Sequence, residues 1–126
     1  MVKLECKVLC VDINLNQLKN LEINLNKKYP TCELYIYEAD ISSLDAIKSL
    51  STQIKSKFGY IDILINNAGI MNQAKLFLDS NDQDIQNIFN VNILAHMYLC
   101  KQFLPEMIKN NKGHIVNISS ALGMFK

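Results

Sequence analysis

The stretch Ile61-Asp62-Ile63-Leu64-Ile65-Asn66-Asn67-Ala68-Gly69-Ile70 sets a short apolar run directly against two amides, an alanine and a glycine. A short apolar run of this kind reads as a strand. Asn side chains stop strands and favour turns. The two amides are then either turn punctuation or the point where the backbone opens to receive a flat ligand, and the surrounding pattern has to decide.

Working outward, the same plan recurs. Lys7 to Val11 is a short apolar strand ending in Asp12, and Asn14 can cap a helix whose Leu15, Leu18, Leu21 and Leu25 keep three-to-four spacing until Tyr29-Pro30 closes it. Glu33 to Tyr37 is the second strand, with Asp40 just after it. Ser42 and Asp45 have capping-box spacing ahead of a helix that runs to Phe58. Ile47, Leu50, Ile54 and Phe58 form its buried stripe, and Gly59 supplies the left-handed residue that ends it. Ile61 to Ile65 is strand three. A helical pattern from about Asp82 to Asn110, closed by Asn111-Lys112-Gly113, leads into strand four, His114 to Ile118. Strands alternating with helices of this length are successive β-α-β units, and right-handed crossovers make a doubly wound parallel α/β sheet of Rossmann type the expected fold.

The totals agree. With 126 residues, 49% apolar and 20% charged, and a formal net charge of +1, the chain has the profile of one soluble globular domain. Its Lys residues are scattered among Asp and Glu, so no basic stripe suits a phosphate backbone, which argues against nucleic acid as a partner. Cys6, Cys10, Cys32 and Cys100 form no C-x-x-C pair, and Cys10 and Cys100 lie in apolar runs where a thiol acts as a small hydrophobe; an intracellular, reducing compartment is expected. His96 and His114 are far apart and lack Cys or carboxylate neighbours at ligand spacing, so no metal site is expected. No apolar segment approaches bilayer length and the amino terminus lacks a signal-peptide profile, so the chain as written reads as cytoplasmic. The sequon Asn117-Ile118-Ser119 falls in a strand and reads as accidental.

In an open parallel sheet, ligands bind at the carboxyl ends of the strands. The residues closing the four strands are Asp12, Asp40, Asn66 with Asn67, and Ser119 with Ser120. Any one of them reads as punctuation. Their joint occurrence beside the small residues Ala68 and Gly69 favours a binding edge. An acidic residue ending the second strand of a nucleotide-binding sheet accepts hydrogen bonds from the adenosine ribose hydroxyls, and Asp12 has that place if one more strand precedes it. The same carboxylate would repel a 2′-phosphate, and Ile13 offers no compensating cation, so NAD is favoured over NADP. The long helix carries an oddity as well. Its stripe Ile85, Ile88, Phe89, Asn92, His96, Leu99, Phe103 places Asn92 where an apolar residue is called for. Either the amide bonds to neighbouring backbone, or the helix kinks there and frees a carbonyl for an ordered water.

Asn66-Asn67-Ala68-Gly69, Asn90-Val91-Asn92-Ile93 and Gly113-His114-Ile115-Val116-Asn117-Ile118-Ser119-Ser120 together resemble the short-chain dehydrogenase/reductase family, in matching order and separation over the whole chain. The resemblance implies that residues 1–126 are part of an NAD(P)-binding Rossmann domain. It implies that Asp12 binds the ribose, that Asp40 and Ile41 frame the adenine, and that Asn66, Ala68 and Gly69 line the cofactor cleft. Asn92 matches the Asn that positions a water in the family's proton relay, and Ser120 the Ser that holds the substrate oxygen. Within the family, Asn92 to His96 and Lys109 to Val116 look most like the retinol and 17β-hydroxysteroid dehydrogenases. That implies a lipid-like alcohol or ketone as substrate, and an endoplasmic reticulum or lipid-droplet location wherever an apolar amino-terminal anchor precedes these residues.

Two family features are not within the 126 residues. The glycines are Gly59, Gly69, Gly113 and Gly123, so no Gly-rich turn precedes Asp12, and no Tyr-Lys pair follows Ser120. The chain is therefore expected to be inactive alone, the Tyr being the family's general acid/base. A second reading is a non-catalytic protein whose long helix packs in a homodimer. A third, a phospho-accepting receiver domain, needs clustered carboxylates for Mg²⁺ and a Lys on its last strand, and neither is evident.

Overall fold

In a computed structural model, residues 6–71 and 76–120 are described. They form two compact units, one ending at Asp40 and the other beginning at Ile41.

In the first unit, β1 (Val8–Asp12) pairs in parallel with β2 (Leu34–Glu38), from Val8 opposite Leu34 to Asp12 opposite Glu38. The crossover between them is α1 (Leu15–Lys28), which starts where Asn14 accepts a hydrogen bond from the Gln17 amide at 3.1 Å. Tyr29 closes it by donating its amide to the Leu25 carbonyl at 2.7 Å. Leu18 is the buried member of the leucine stripe, while Leu21 is exposed.

In the second unit, α2 (Leu44–Phe58) precedes β3 (Ile63–Asn66). Ser43 caps α2 by accepting the Ala46 amide at 3.3 Å, so the cap lies one residue later than the Ser42 reading. The reason is local: Ser43 is the last extended residue, at φ −97°, and its side chain reaches the third helical amide. Gly59 ends the helix at φ 77°, ψ −66°, which is not the left-handed helical well. It is the centre of a γ-turn in which Tyr60 N–H donates to Phe58 O at 3.0 Å. Ile47, Leu50 and Ile54 are buried, each burial contributing roughly 1.5–3 kcal/mol.

The long helical pattern resolves into α3 (Asp82–Phe89), a π turn (Asn90–Leu94) and α4 (Ala95–Lys109), followed by β4 (His114–Asn117). A π turn adds a residue to the helical repeat and so rotates the residues beyond it about the helix axis. The buried positions on its far side are Ala95, Phe103 and Met107, whereas Phe89, read as core, is exposed just before it. Pro105 sits inside α4, one carbonyl bond short of a full ladder. The helices α2 and α4 pack together, and α4 lies on β3 and β4, which run parallel from Ile63 opposite His114 to Asn66 opposite Asn117.

Burial along β3 alternates. Leu64 and Asn66 face α4 and are buried; Ile63 and Ile65 point the other way and are exposed. Within its own unit, β3 is thus covered by α4 on one face. The apolar runs overstate strand starts. Glu33 and Asp62 contribute single carbonyls, to the amides of Val8 and His114, and stand outside the ladders they begin.

Candidate active site

In the first unit, parallel pairing brings the ends of β1 and β2 side by side, with Asp12 opposite Glu38 and Asp40 two residues further on. Asp12 is exposed, and one carboxylate oxygen accepts the Asn14 amide at 2.8 Å. That bond is an Asx turn, which fixes the carboxylate at the mouth of the strand and sets the α1 cap, Asn14, two residues later. Ile13 beside it is 64% exposed. Asp40 is exposed as well.

In the second unit, the loop after β3 is built from the helix side. The Asn92 carboxamide meets the backbone of Ile70 twice: Oδ1 accepts from its N–H at 2.8 Å and Nδ2 donates to its carbonyl at 2.9 Å. Asn92 is half-buried with Oδ1 and Nδ2 each bonded, which accounts for its place in an apolar stripe. The first of the two readings is the one seen, the amide bonding to neighbouring backbone, and it does so from within the π turn. A Cβ added at Gly69 would stand 3.5 Å from Asn92 Oδ1, an ordinary contact.

Four residues beyond Asn92, His96 Nε2 lies 2.9 Å from the Ala68 carbonyl. A carbonyl only accepts, so Nε2 carries the proton and His96 is the donor. Sequence reasoning placed His96 in the apolar stripe and gave it no task. The available signal was two polar residues at i and i+4 on one face of a helix that otherwise faces the core.

The two adjacent amides of the opening stretch have different lives. Asn67 is exposed, whereas Asn66 is 2% exposed and turned beneath the strand pair. Its Nδ2 donates to Asn117 Oδ1 at 2.8 Å and lies 3.5 Å from Cys100 Sγ, and its Oδ1 is buried with no hydrogen-bond partner. Asn117 and Cys100 were missed by sequence reasoning, since cross-strand register and helix packing bring them to Asn66. Ser119 and Ser120 lie past the end of β4 and are exposed, so strand alternation does not choose between them. Residues 121–126 lie outside the described part. Among the described residues, no group of three His, Cys, Asp or Glu could hold a metal ion, and no helix is long and apolar enough to cross a membrane. The four cysteines are thiols rather than disulfides, and burial pushes the Cys10 thiol up.

Parallel strand pairs joined by helices, with polar carboxyl ends and a post-strand loop pinned by a π-turn amide, define a Rossmann-type α/β protein. The chain belongs to the short-chain dehydrogenase family of oxidoreductases, whose family model, described as "short chain dehydrogenase", matches residues 1–126. Estradiol 17-beta-dehydrogenase 11 of Macaca fascicularis is 39% identical over 121 residues, covering 96% of this chain and 39% of that protein. Retinol dehydrogenase 10-B of Danio rerio is 40% identical over 93 residues, covering 74% of this chain and 27% of that one. A metagenomic short-chain oxidoreductase in complex with NADP superposes with a TM-score of 0.91 at 27% identity, over 99% of this chain and 56% of that one. An NAD⁺-bound xylitol dehydrogenase gives 0.81 at 28%, over 92% and 44%. The chain thus spans about two fifths of the first of these curated relatives, and the two solved neighbours hold different nicotinamide cofactors.

Proposed function

We propose that these residues form the cofactor-framing part of an NAD-dependent oxidoreductase acting on a lipid-like alcohol or ketone of retinoid or steroid kind, and that they do not carry out the reaction alone. The observation that supports this most is the loop Ala68–Ile70 held by Asn92 beside the end of β3, where a doubly wound sheet opens to its ligand. The names of the relatives, an estradiol and a retinol dehydrogenase, support the substrate class.

The residues present fit the adenosine half of a dinucleotide at one point that bears on choice. Asp12 is an exposed carboxylate held in place by the Asn14 amide, with Ile13 and no cation next to it in the chain. It suits a ribose with both hydroxyls free, and it repels a 2′-phosphate by on the order of 1 kcal/mol in water at about 4 Å. Asp40 and Ile41 would frame the adenine; Asn66, Ala68 and Gly69 would shape the cleft wall. Ser120 would hold the substrate oxygen and Asn92 would order the proton path beside it. NAD supplies the hydride acceptor when bound. What the 126 residues do not contain is a Gly-rich turn before Asp12 and a Tyr-Lys pair after Ser120.

Calorimetric titration with NAD and NADP tests the reading. This chain alone should show binding too weak to measure. In a protein that contains these residues together with the turn and the pair, NAD should bind more tightly than NADP, and Asp12→Ala should narrow the gap. NADP binding more tightly there, with Asp12 intact, would overturn the cofactor assignment; failure to oxidise retinol or estradiol with NAD would overturn the substrate class.

A second reading, an interaction protein that dimerises through the long helix, is favoured by one observation. Phe89, Ile93, Met97, Leu104 and Ile108, spaced by four and seven, are exposed along α3, the π turn and α4. Such a stripe is what a helix-to-helix contact between copies uses. Light scattering of Met97→Glu against the unaltered chain tests it: loss of a dimer supports the contact, and a monomer in both rejects it.

A further inference from the structure

Three hydrogen bonds from two side chains hold the backbone of the post-β3 loop, two from Asn92 to Ile70 and one from His96 to Ala68. The two side chains stand four residues apart, across the end of the π turn, and the loop positions that they hold, Ile70 and Ala68, stand two apart. Asn92 alone fixes one end of this run and leaves the Ala68–Gly69 peptide free to rotate.

We infer that His96 is a positioning residue whose Nε2–H sets the plane of the Ala68–Gly69 peptide, so that the Gly69 N–H is turned to the side opposite the helix as a donor for the ligand in the cleft. The described peptides are all trans. In a trans peptide the C=O and the following N–H point in opposite directions. Drawing the Ala68 carbonyl onto His96 thus commits the Gly69 N–H to the far side. Ala68 and Gly69 are exposed, so the peptide is accessible there. His96 acts through the backbone it holds. That the donor meets a dinucleotide rests on the proposed function, but the peptide lock does not.

The test needs no cofactor, so it stands or falls separately from that reading. The reporter is the amide of Ile70, which Asn92 protects only while the loop lies on the helix. By amide hydrogen exchange, His96→Ala should speed Ile70 exchange about five- to tenfold, the effect of one neutral hydrogen bond, with Phe103 and Met107 unchanged. His96→Gln, which keeps a donor at the Nε2 position, should return Ile70 to within about twofold of the unaltered protein, while His96→Phe should match Ala. Exchange at Ile70 that ignores His96→Ala, a Gln variant no better than Phe, or an equal rise at Phe103 and Met107 each overturns the inference. Long-range nitrogen–proton spectra of the unaltered protein give an independent measurement that requires no variant to fold. They should show His96 protonated at Nε2, and a proton on Nδ1 alone overturns the lock.

Discussion

Asn66 and Asn117 face each other across β3 and β4 as register partners, with Asn66 Nδ2 donating to Asn117 Oδ1 at 2.8 Å while Asn66 Oδ1 is buried without a partner. The arrangement makes the two residues unequal. Asn117→Ala removes the acceptor and leaves the buried amide with a sulfur contact, which should destabilise by about 1–3 kcal/mol. Asn66→Leu, which keeps the branched shape, removes donor and orphaned oxygen together and leaves only Asn117, which is exposed and can be hydrated. It should cost less. Urea midpoints for the two variants decide the matter, and a larger loss for Asn66→Leu would contradict the account.

Asn92 needs one donor and one acceptor on the same planar group. Asn92→Asp keeps the acceptor for Ile70 N–H and sets a carboxylate against the Ile70 carbonyl, with an expected loss of about 1–3 kcal/mol at neutral pH. Protonating that carboxyl restores a donor, so its folded-state pKa is raised and the variant should regain stability relative to the unaltered chain as pH falls through it. Melts at about pH 7 and about pH 4 measure the difference, and a penalty that grows in acid would refute the assignment.

Gly113 is required by space. A Cβ there would stand 2.5 Å from Met107 Cγ and 2.6 Å from Met107 Cβ, and Met107 is buried. Gly113→Ala should cost about 1–3 kcal/mol by overpacking. Met107→Ala should not rescue it, because the closest unavoidable atom is the Cβ that Ala retains. Thermal melts of the single and double variants check this, full recovery in the double variant being the contrary result.

Stability should fall in alkali, and Cys10 and Lys112 are two of the groups that contribute with the same sign. Burial raises the Cys10 thiol above its usual 9.0. The hydrogen bond and then the charge of Asp62, 2.7 Å away, raise the Lys112 ammonium above 10.5. Both groups hold their protons more tightly folded than unfolded. Their contributions are therefore complete below pH 9.0 and are lost as pH rises through the folded values. Cys10→Ala should remove the earlier part of the decline. High salt should weaken only the Lys112 part, which is an exposed pair screened by ions, and not the thiol part, which is desolvation. Unfolding curves from about pH 8 to about pH 11 test this, and stability that stays level or rises would contradict it.

Much of the fold was legible along the chain because its signals are local. The Asn14 cap, the Ile47-Leu50-Ile54 stripe and the four apolar runs are patterns of neighbouring residues, and the parallel sheet follows from their alternation. The missed cap at Ser43 was an error of one residue between two serines that composition cannot separate. Legibility ended at the long helix. The π turn at Asn90–Leu94 shifts which residues meet the core, so that Phe89 lies outside and Ala95 inside.

The candidate site divides in the same way. Asp12, Asp40, Asn66, Asn92 and Ser120 could be named from sequence because strand ends and an amide in an apolar stripe are visible locally. The sequence by itself determined a doubly wound α/β chain of the short-chain dehydrogenase family with polar strand ends. Tertiary structure alone decided that Asn66 turns inward to Asn117 and that Asn92 and His96 hold Ile70 and Ala68. These partners stand 51, 22 and 28 residues apart. Hydrogen-bond geometry between them exists only once helix and strands have packed, and no periodicity within one element encodes it.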